Sequence, residues 1–468
     1  MKKSARFLAL GLALALSVSV LSACGGSASS SGSAAASGSA AAAPTEEQVD
    51  ITFWTHYVDD FAFTEKKVED FNNEYAGKIH VDMKKVSDDY NNVLLLALKN
   101  GTGPDIYADG IELKQLVDQN YAAPLNDLMS DEMLARVEDK KAVGNNCLNG
   151  NWYSLPFRGY NFRLAWNKDL FEAAGLDPES PPTTYEEVIA AAKAITAYGK
   201  TQNPQKFGFM LPTGEDWIWW IYGEQMARVN GDSYYDYTTG QYNWSALKPV
   251  MELYLQLQKD GSLFPGGTTM QNDPARAQFS AGNVGMILAA SWDIGVFNDQ
   301  FPAECDWDVT TLPNTDGELH GYSQLDCGSY LLINGASDAA KQQAAMTFYE
   351  YLLDEDTLVE YYEGGYGIPV YDGIAEKVTK MPDKPGFAGF ADISKDRVYP
   401  YETPVQVEGD GFGKVMNDIL NGTVGLDAAF ADLDARYNAA IEKGQKEGEF
   451  DLKDYMVENY STLNPSGE

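Results

Sequence analysis

Several short stretches of the chain bring aromatic rings, carboxylates and an imidazole together. Ser291, Trp292 and Asp293 close the run Phe279–Asp293, FSAGNVGMILAASWD. Trp54, His56 and Tyr57 follow the apolar run VDITFW at Val49–Trp54. Asp216, Trp217 and Trp220 open the stretch Gly214–Arg228, GEDWIWWIYGEQMAR. A flat indole can take the C–H face of a pyranose, and a neighbouring carboxylate accepts from its hydroxyls. An imidazole such as His56 is a hydroxyl partner. The competing reading is packing, because tryptophan is mostly buried in folded proteins. At Gly214–Arg228 packing claims at least two of the rings.

Bond-making chemistry finds little support. The chain has no G-x-S-x-G, no H-E-x-x-H and no calcium-loop spacing, and Gly409–Lys414 lacks the first glycine and the Ser/Thr of a phosphate loop. Its 3 histidines, His56, His80 and His320, are scattered and lack metal-ligand spacing. No metal and no cofactor is expected. With 69 acidic residues, carboxylate pairs are inevitable and none singles out a glycosidase. The net charge of −35 argues against nucleic acid and against an anionic membrane surface.

The elements that would position these groups follow from periodicity. Val49–Trp54 and Ile79–Val86 read as strands, Ala62–Tyr75 and Tyr90–Lys99 as helices, and Gly103–Asp109 as a turn and strand. That alternation predicts a parallel sheet with right-handed crossovers. Val284–Ala290 reads as a buried strand that delivers Trp292 and Asp293 to its end, where ligands sit in open α/β sheets. Asp109 ends the third strand in the same way. Gly214–Arg228 is expected to be a helix with Trp217 and Trp220 on one face and Trp219 elsewhere. Helices are also expected at Tyr185–Ala197, Ala246–Lys259, Ala339–Leu353 and within Phe412–Lys446. A strand is expected at Trp307–Leu312. At 468 residues with 44% hydrophobic content the chain can build two or three cores.

The first residues read as a targeting segment. Lys2, Lys3 and Arg6 precede the apolar stretch Phe7–Val20, which is too short and alanine-rich for a membrane span. Leu21-Ser22-Ala23-Cys24 resembles a bacterial lipobox. The resemblance implies a diacylglyceryl group on the Cys24 thiol and cleavage before it, and two acyl chains anchor stably. Residues 1–23 are then a lipoprotein signal peptide, and residues 24–47 a Gly/Ala/Ser-rich tether. Beyond Cys24 only Cys147, Cys305 and Cys327 remain, an odd number. Cys305 and Cys327 are the nearest pair in sequence.

The run Phe279–Trp292 resembles the signature of family-1 extracellular solute-binding proteins of ABC importers, F-x-x-G-x-x-A-M-x-x-x-G-S-W. Phe279, Gly282, Met286, Ser291 and Trp292 match it. Gly285 stands at its Ala and Ala290 at its Gly. Gly101–Ile106 is similar to the family's G-x-x-P-D-[IV]. Asn151–Asp177, NWYSLPFRGYNFRLAWNKDLFEAAGLD, is similar to Y-x-L-P-F…L-x-Y-N-K-D-L-F-x-x-A-G-L, with Trp166 for the usual Tyr, and Pro181–Thr184 follows as in P-P-x-T-W-x-E.

The resemblance implies an α/β, two-lobed, periplasmic-binding-protein-like (type II) fold with a hinge and a cleft. Lobe 1 would be 48–157 plus 327–372, and lobe 2 158–326 plus 373–468. It places Arg158 and Tyr160 at the first crossing and Asp326 at the return crossing. Val370 stands where the family often has Arg, and Tyr366 is the candidate substitute. It implies a monomeric lipoprotein on the extracytoplasmic face of the cell membrane. This protein would capture a carbohydrate and deliver it to an ABC permease, without being an enzyme. The alternatives are a secreted glycoside hydrolase and a binder of a non-sugar solute such as a polyamine or peptide.

Overall fold

A computed structural model describes residues 48–468, apart from 87, 88, 143, 329, 372 and 468 and the side chains of 139 and 369. The leader, Cys24 and the tether lie outside the described residues.

Two hydrophobic cores form. The first gathers Ile51, Phe53, Ile106, Tyr107, Leu331, Ile333 and Phe348 around a four-stranded sheet. Its strands are β1 (Val49–Thr55), β2 (Ile79–Lys85), β3 (Ile106–Ala108) and the late strand Leu331–Ile333. β1 pairs in parallel with both β2 and β3, and Leu331–Ile333 joins β3 antiparallel. The helices Phe61–Glu74 and Tyr90–Lys99 make the parallel crossovers. The proline–aspartate turn ties this sheet together. Asp105 accepts from the Thr52 backbone at 2.9 Å and from Ser337 Oγ at 2.7 Å, and pairs with Lys341 at 3.1 Å. Burial works against the Asp105 charge, but these donors win and hold its pKa below the usual carboxylate value.

The second core surrounds a sheet of four strands, Trp307–Thr310, Phe162–Asn167, Val284–Ala290 and Phe207–Phe209, in that spatial order. All 7 residues of Val284–Ala290 are buried, as an unbroken apolar run at the centre of a sheet requires. At Gly285, where the family has Ala, a Cβ would lie 2.5 Å from Ile195 Cδ1 and 3.1 Å from the Gly208 carbonyl oxygen, so the glycine lets these elements approach closely. The helix Tyr185–Gly199 starts at a reciprocal cap. Thr184 accepts from the Glu187 backbone, and Glu187 accepts from the Thr184 backbone. Helices Phe412–Leu420 and Leu426–Glu447 pack on this second core.

The chain passes between the cores in segments that are themselves paired. Arg158–Gly159 pairs antiparallel with Ile368–Pro369, and Tyr160 bridges Asp326 on its other side. Gly159 sits between the flanking plies. A Cβ there would meet Leu325 Cδ1 at 2.8 Å and Val370 Cγ1 at 3.0 Å. Near the third segment the cores interleave, with Tyr362 and Ile368 in the second and Tyr361, Tyr371 and Ile374 in the first.

One expected element differs. Gly214–Arg228 is not a regular helix. Turns occupy its start, a π-helix spans Trp220–Gln225, and an α-helix follows over Met226–Val229. The rings sit in three environments: Trp217 exposed in a turn, Trp219 buried, and Trp220 half-buried at the start of the π-helix. Cys305 carries a free thiol, so it forms no bridge to Cys327. Among the described residues no helix is long and apolar enough to cross a membrane, and no cluster of potential metal ligands occurs.

Candidate functional site

The connecting segments put a buried cation at the junction of the cores. Arg158 Nη1 donates to Asp59 Oδ2 at 2.8 Å, Asp60 Oδ2 at 2.7 Å and the Tyr361 hydroxyl at 2.5 Å. Its Nε donates to the Tyr160 hydroxyl at 2.6 Å. The guanidinium also lies 5.0 Å from the Tyr57 ring centroid and 4.9 Å from that of Tyr160. Burial opposes the charge on Arg158, but Asp59 and Asp60 outweigh it and keep the group protonated. Burial pushes Asp60 up to about 6, against the pull of Arg158 and with that of Asp59.

Rings radiate from this ion pair. Tyr57 stacks on Tyr330 with centroids 5.4 Å apart, and its hydroxyl donates to Asp109. Burial first, and Asp109 next, raise the Tyr57 pKa well above 10, so the phenol remains a donor. Tyr160 meets Trp292 edge-on at 4.8 Å. Trp292 and Trp220 both touch Phe162, at 6.1 and 4.9 Å, and both indoles are only partly buried. The His56 ring lies 4.5 Å from Tyr57 and 4.4 Å from Tyr90. Its Nδ1 has no hydrogen-bond partner among the described residues. Burial drives the His56 pKa down to about 4, opposed by Asp59 and assisted by Arg158, so the ring is neutral at pH 7.

On the other side of Tyr160, Asp326 accepts from the Tyr401 hydroxyl at 2.9 Å. Burial raises its pKa, and the bond from Tyr401 works the other way. Tyr401 in turn accepts from Asn145, a residue of the first core's side.

The structure thus gathers Tyr57, Asp109, Arg158, Tyr160, Trp292 and Asp326, with His56 and Trp220 at the margins. Tyr366 joins through Tyr361 and Phe63, at 5.7 and 5.2 Å. The remaining candidates have other company. Trp54 lies under Lys84 Nζ at 4.4 Å, against the first core. Asp293 is buried in an ion pair with Arg276 at 2.7 Å and accepts from the Ala290 backbone at 2.9 Å. This fixes the turn that carries Trp292. Trp217 is 44% exposed, and Asp216 stands against Gly413 in the first turn of Phe412–Leu420, where a carboxylate is favoured.

Sequence reasoning passed over Asp59, Asp60, Tyr361, Asn145 and Tyr401. The Asp59-Asp60 pair, two acids directly after the strand-end residues His56 and Tyr57, was a usable signal. Tyr401 lies in a stretch without periodicity and carried none.

Residues 55–358 match the family of bacterial extracellular solute-binding proteins. A binding protein of Brucella abortus (strain 2308) is 25% identical over 353 residues, covering 73% of this chain and 81% of its own. The sn-glycerol-3-phosphate-binding periplasmic protein UgpB of Agrobacterium fabrum is 27% identical over 260 residues, 54% of each chain. Among solved structures, the cyclic alpha-maltosyl-1,6-maltose binding protein of Arthrobacter globiformis superposes with a TM-score of 0.63 at 21% identity. That match covers 85% of this chain and 100% of the other. The ABC substrate-binding protein of Listeria monocytogenes in complex with cycloalternan gives 0.68 at 16% identity, over 85% and 100%. The match is to a two-lobed α/β fold. By the family match and this architecture, the chain belongs to the bacterial extracellular solute-binding proteins.

Proposed function

We propose that the protein captures a carbohydrate between its lobes and delivers it unreacted to the permease of an ABC importer. The observation that carries this is the ring set Tyr57, Tyr160, Trp220 and Trp292, grouped at the junction beside the carboxylates Asp109 and Asp326. Rings supply affinity for apolar sugar faces. Acceptors and donors left unpaired by a wrong hydroxyl pattern supply selectivity. His56 Nδ1 is one such unpaired group. The bending points lie at 157/158, at 326/327 and in the return segment that pairs Ile368–Pro369 with Arg158–Gly159, and closure about them buries the ligand in the form a permease recognises. The relatives named for sugars support this reading.

The protein works as a monomer, held outside the cell by a lipid on Cys24. Basic residues, an apolar stretch and Leu21–Cys24 support the anchor. Incubation with oligosaccharides, followed by calorimetry and by chromatography of the sugar, tests the function. Heat of binding with the sugar intact supports capture. Sugar cleavage that disappears when one carboxylate is replaced would make the protein a hydrolase. Replacement of Cys24 by Ala should release the protein from membranes into the medium, and retention would refute the anchor.

A further inference from the structure

Below Asp109 three crevices share their walls. One lies between Asp109, Glu112, Asn145 and Tyr401. The next runs on from Glu112 and Tyr401 to Glu402, Tyr437 and Tyr455. The third, of about 890 Å³, continues from Glu112, Pro404 and Tyr455 to Glu449 and Phe450. Residues 109–150 form one wall and 401–455 the other, so both lobes line a single groove that starts at the Tyr57–Asp109 pair. The last crevice alone stands near the top of the ~300–1,000 Å³ range of small-molecule sites, more room than one sugar ring fills.

The charge of this groove is one-sided. Glu112, Glu402, Glu449, Asp451 and Asp454 line it without an ion-pair partner among the described residues. Glu402 is half-buried, and its one hydrogen bond is from the Tyr234 hydroxyl at 2.9 Å. The lysines of the groove are already neutralised, Lys114 by Asp118 at 2.6 Å and Lys141 by Glu138 at 2.5 Å. Arg158, at the head, serves Asp59 and Asp60. An anionic solute needs a cation or converging backbone donors and would meet uncompensated carboxylates instead. A chain of hydroxyl-bearing rings meets acceptors alternating with the rings of Tyr401, Tyr455 and Phe450.

We propose that this groove continues the solute site, that it holds the further rings of an uncharged oligosaccharide, and that it turns away phosphorylated and carboxylated solutes. The proposal rests on the carbohydrate reading above. It separates this chain from the relatives named for glycerol 3-phosphate.

The test is calorimetry on the full chain in detergent. Maltotriose, raffinose and xylotriose serve as uncharged probes, glucose, galactose and xylose as single rings, and glucose 6-phosphate and sn-glycerol 3-phosphate as anions. At least one trisaccharide should bind about tenfold or more tighter than its single-ring counterpart, and the anions should give no heat. Phe450→Ala should weaken the trisaccharide and leave the single ring unchanged. Glu112→Gln with Glu402→Gln should make binding of glucose 6-phosphate measurable, as expected from removing nearby like charges in a wet cleft. Single rings binding as tightly as trisaccharides, indifference to Phe450→Ala, or wild-type binding of either phosphate would overturn the groove assignment while leaving solute capture intact. Binding of a polyamine or peptide with silence from every uncharged sugar would remove the carbohydrate reading and the groove assignment with it.

Discussion

Asn145, on the first lobe, donates its side-chain amide to the phenol oxygen of Tyr401, on the second, and Tyr401 passes a hydrogen bond on to Asp326 at 2.9 Å. A single hydroxyl therefore links both lobes to one of the segments that join them. Tyr401→Phe should leave Asp326 short of a donor and Asn145 without its acceptor, at a cost of about 1–3 kcal/mol. We expect a modestly lower apo melting temperature, a larger radius in small-angle scattering and about tenfold weaker ligand binding. Unchanged scattering and affinity would show that the contact does not hold the lobes together.

Trp292 touches Tyr160 and Phe162 by its edges and keeps part of its indole uncovered. Its removal opens no sealed cavity. Trp292→Ala should abolish ligand-induced thermal stabilisation and leave the apo fold largely intact, as read by thermal shift with and without sugar. An apo protein that collapses would return the ring to the core.

Arg158→Met strands two carboxylates, Asp59 and Asp60, with side-chain exposures of 10% and 1%. Breaking a buried pair this way costs about 3–5 kcal/mol. The pH dependence is specific. Burial raises the folded Asp60 pKa to about 6, above its ordinary 3.8. The folded state therefore binds the proton more tightly, and the stability this gives is present at low pH and lost as pH rises through about 6. Without Arg158 the carboxyl should stay protonated to higher pH still. The stability gap between wild type and variant in urea unfolding should thus narrow from pH 8 to pH 5.

His56 works in the opposite sense. Its folded pKa of about 4 lies below the ordinary 6.5, so the unfolded chain takes the proton first as pH falls. Its contribution is intact above pH 6.5 and erodes toward pH 4, by roughly 3 kcal/mol in full. His56→Asn should remove that erosion. The melting temperature of wild type relative to the variant should drop between pH 6.5 and pH 4, and a constant difference would contradict the buried, neutral ring.

Much of the fold was legible in the sequence because it rests on local signals. An apolar, β-branched run marked β1, alternation marked β2, an unbroken apolar run marked Val284–Ala290, and Pro181–Thr184 marked a helix start. The site was less legible. Ser291 and Asp293 sit beside Trp292, yet Asp293 turns back to Arg276, a partner set by packing and not by spacing. Trp217, Trp219 and Trp220 could not be sorted by a 3.6-residue period because no regular helix carries all three: Trp217 lies in a turn and a π-helix begins at Trp220. Glu402 and Tyr401 face the groove only because the tail returns across the second core. No window of sequence records that return.

The side-by-side pairing of the connecting segments has a mechanical corollary. Arg158–Gly159 is flanked by Ile368–Pro369 and by Asp326, with Gly159 wedged between Leu325 and Val370. Plies bonded edge to edge bend across their width, but twisting them would shear the bonds between them. The permease should therefore meet a partner that swings along one arc like a door, its two halves keeping their azimuth from shut to ajar.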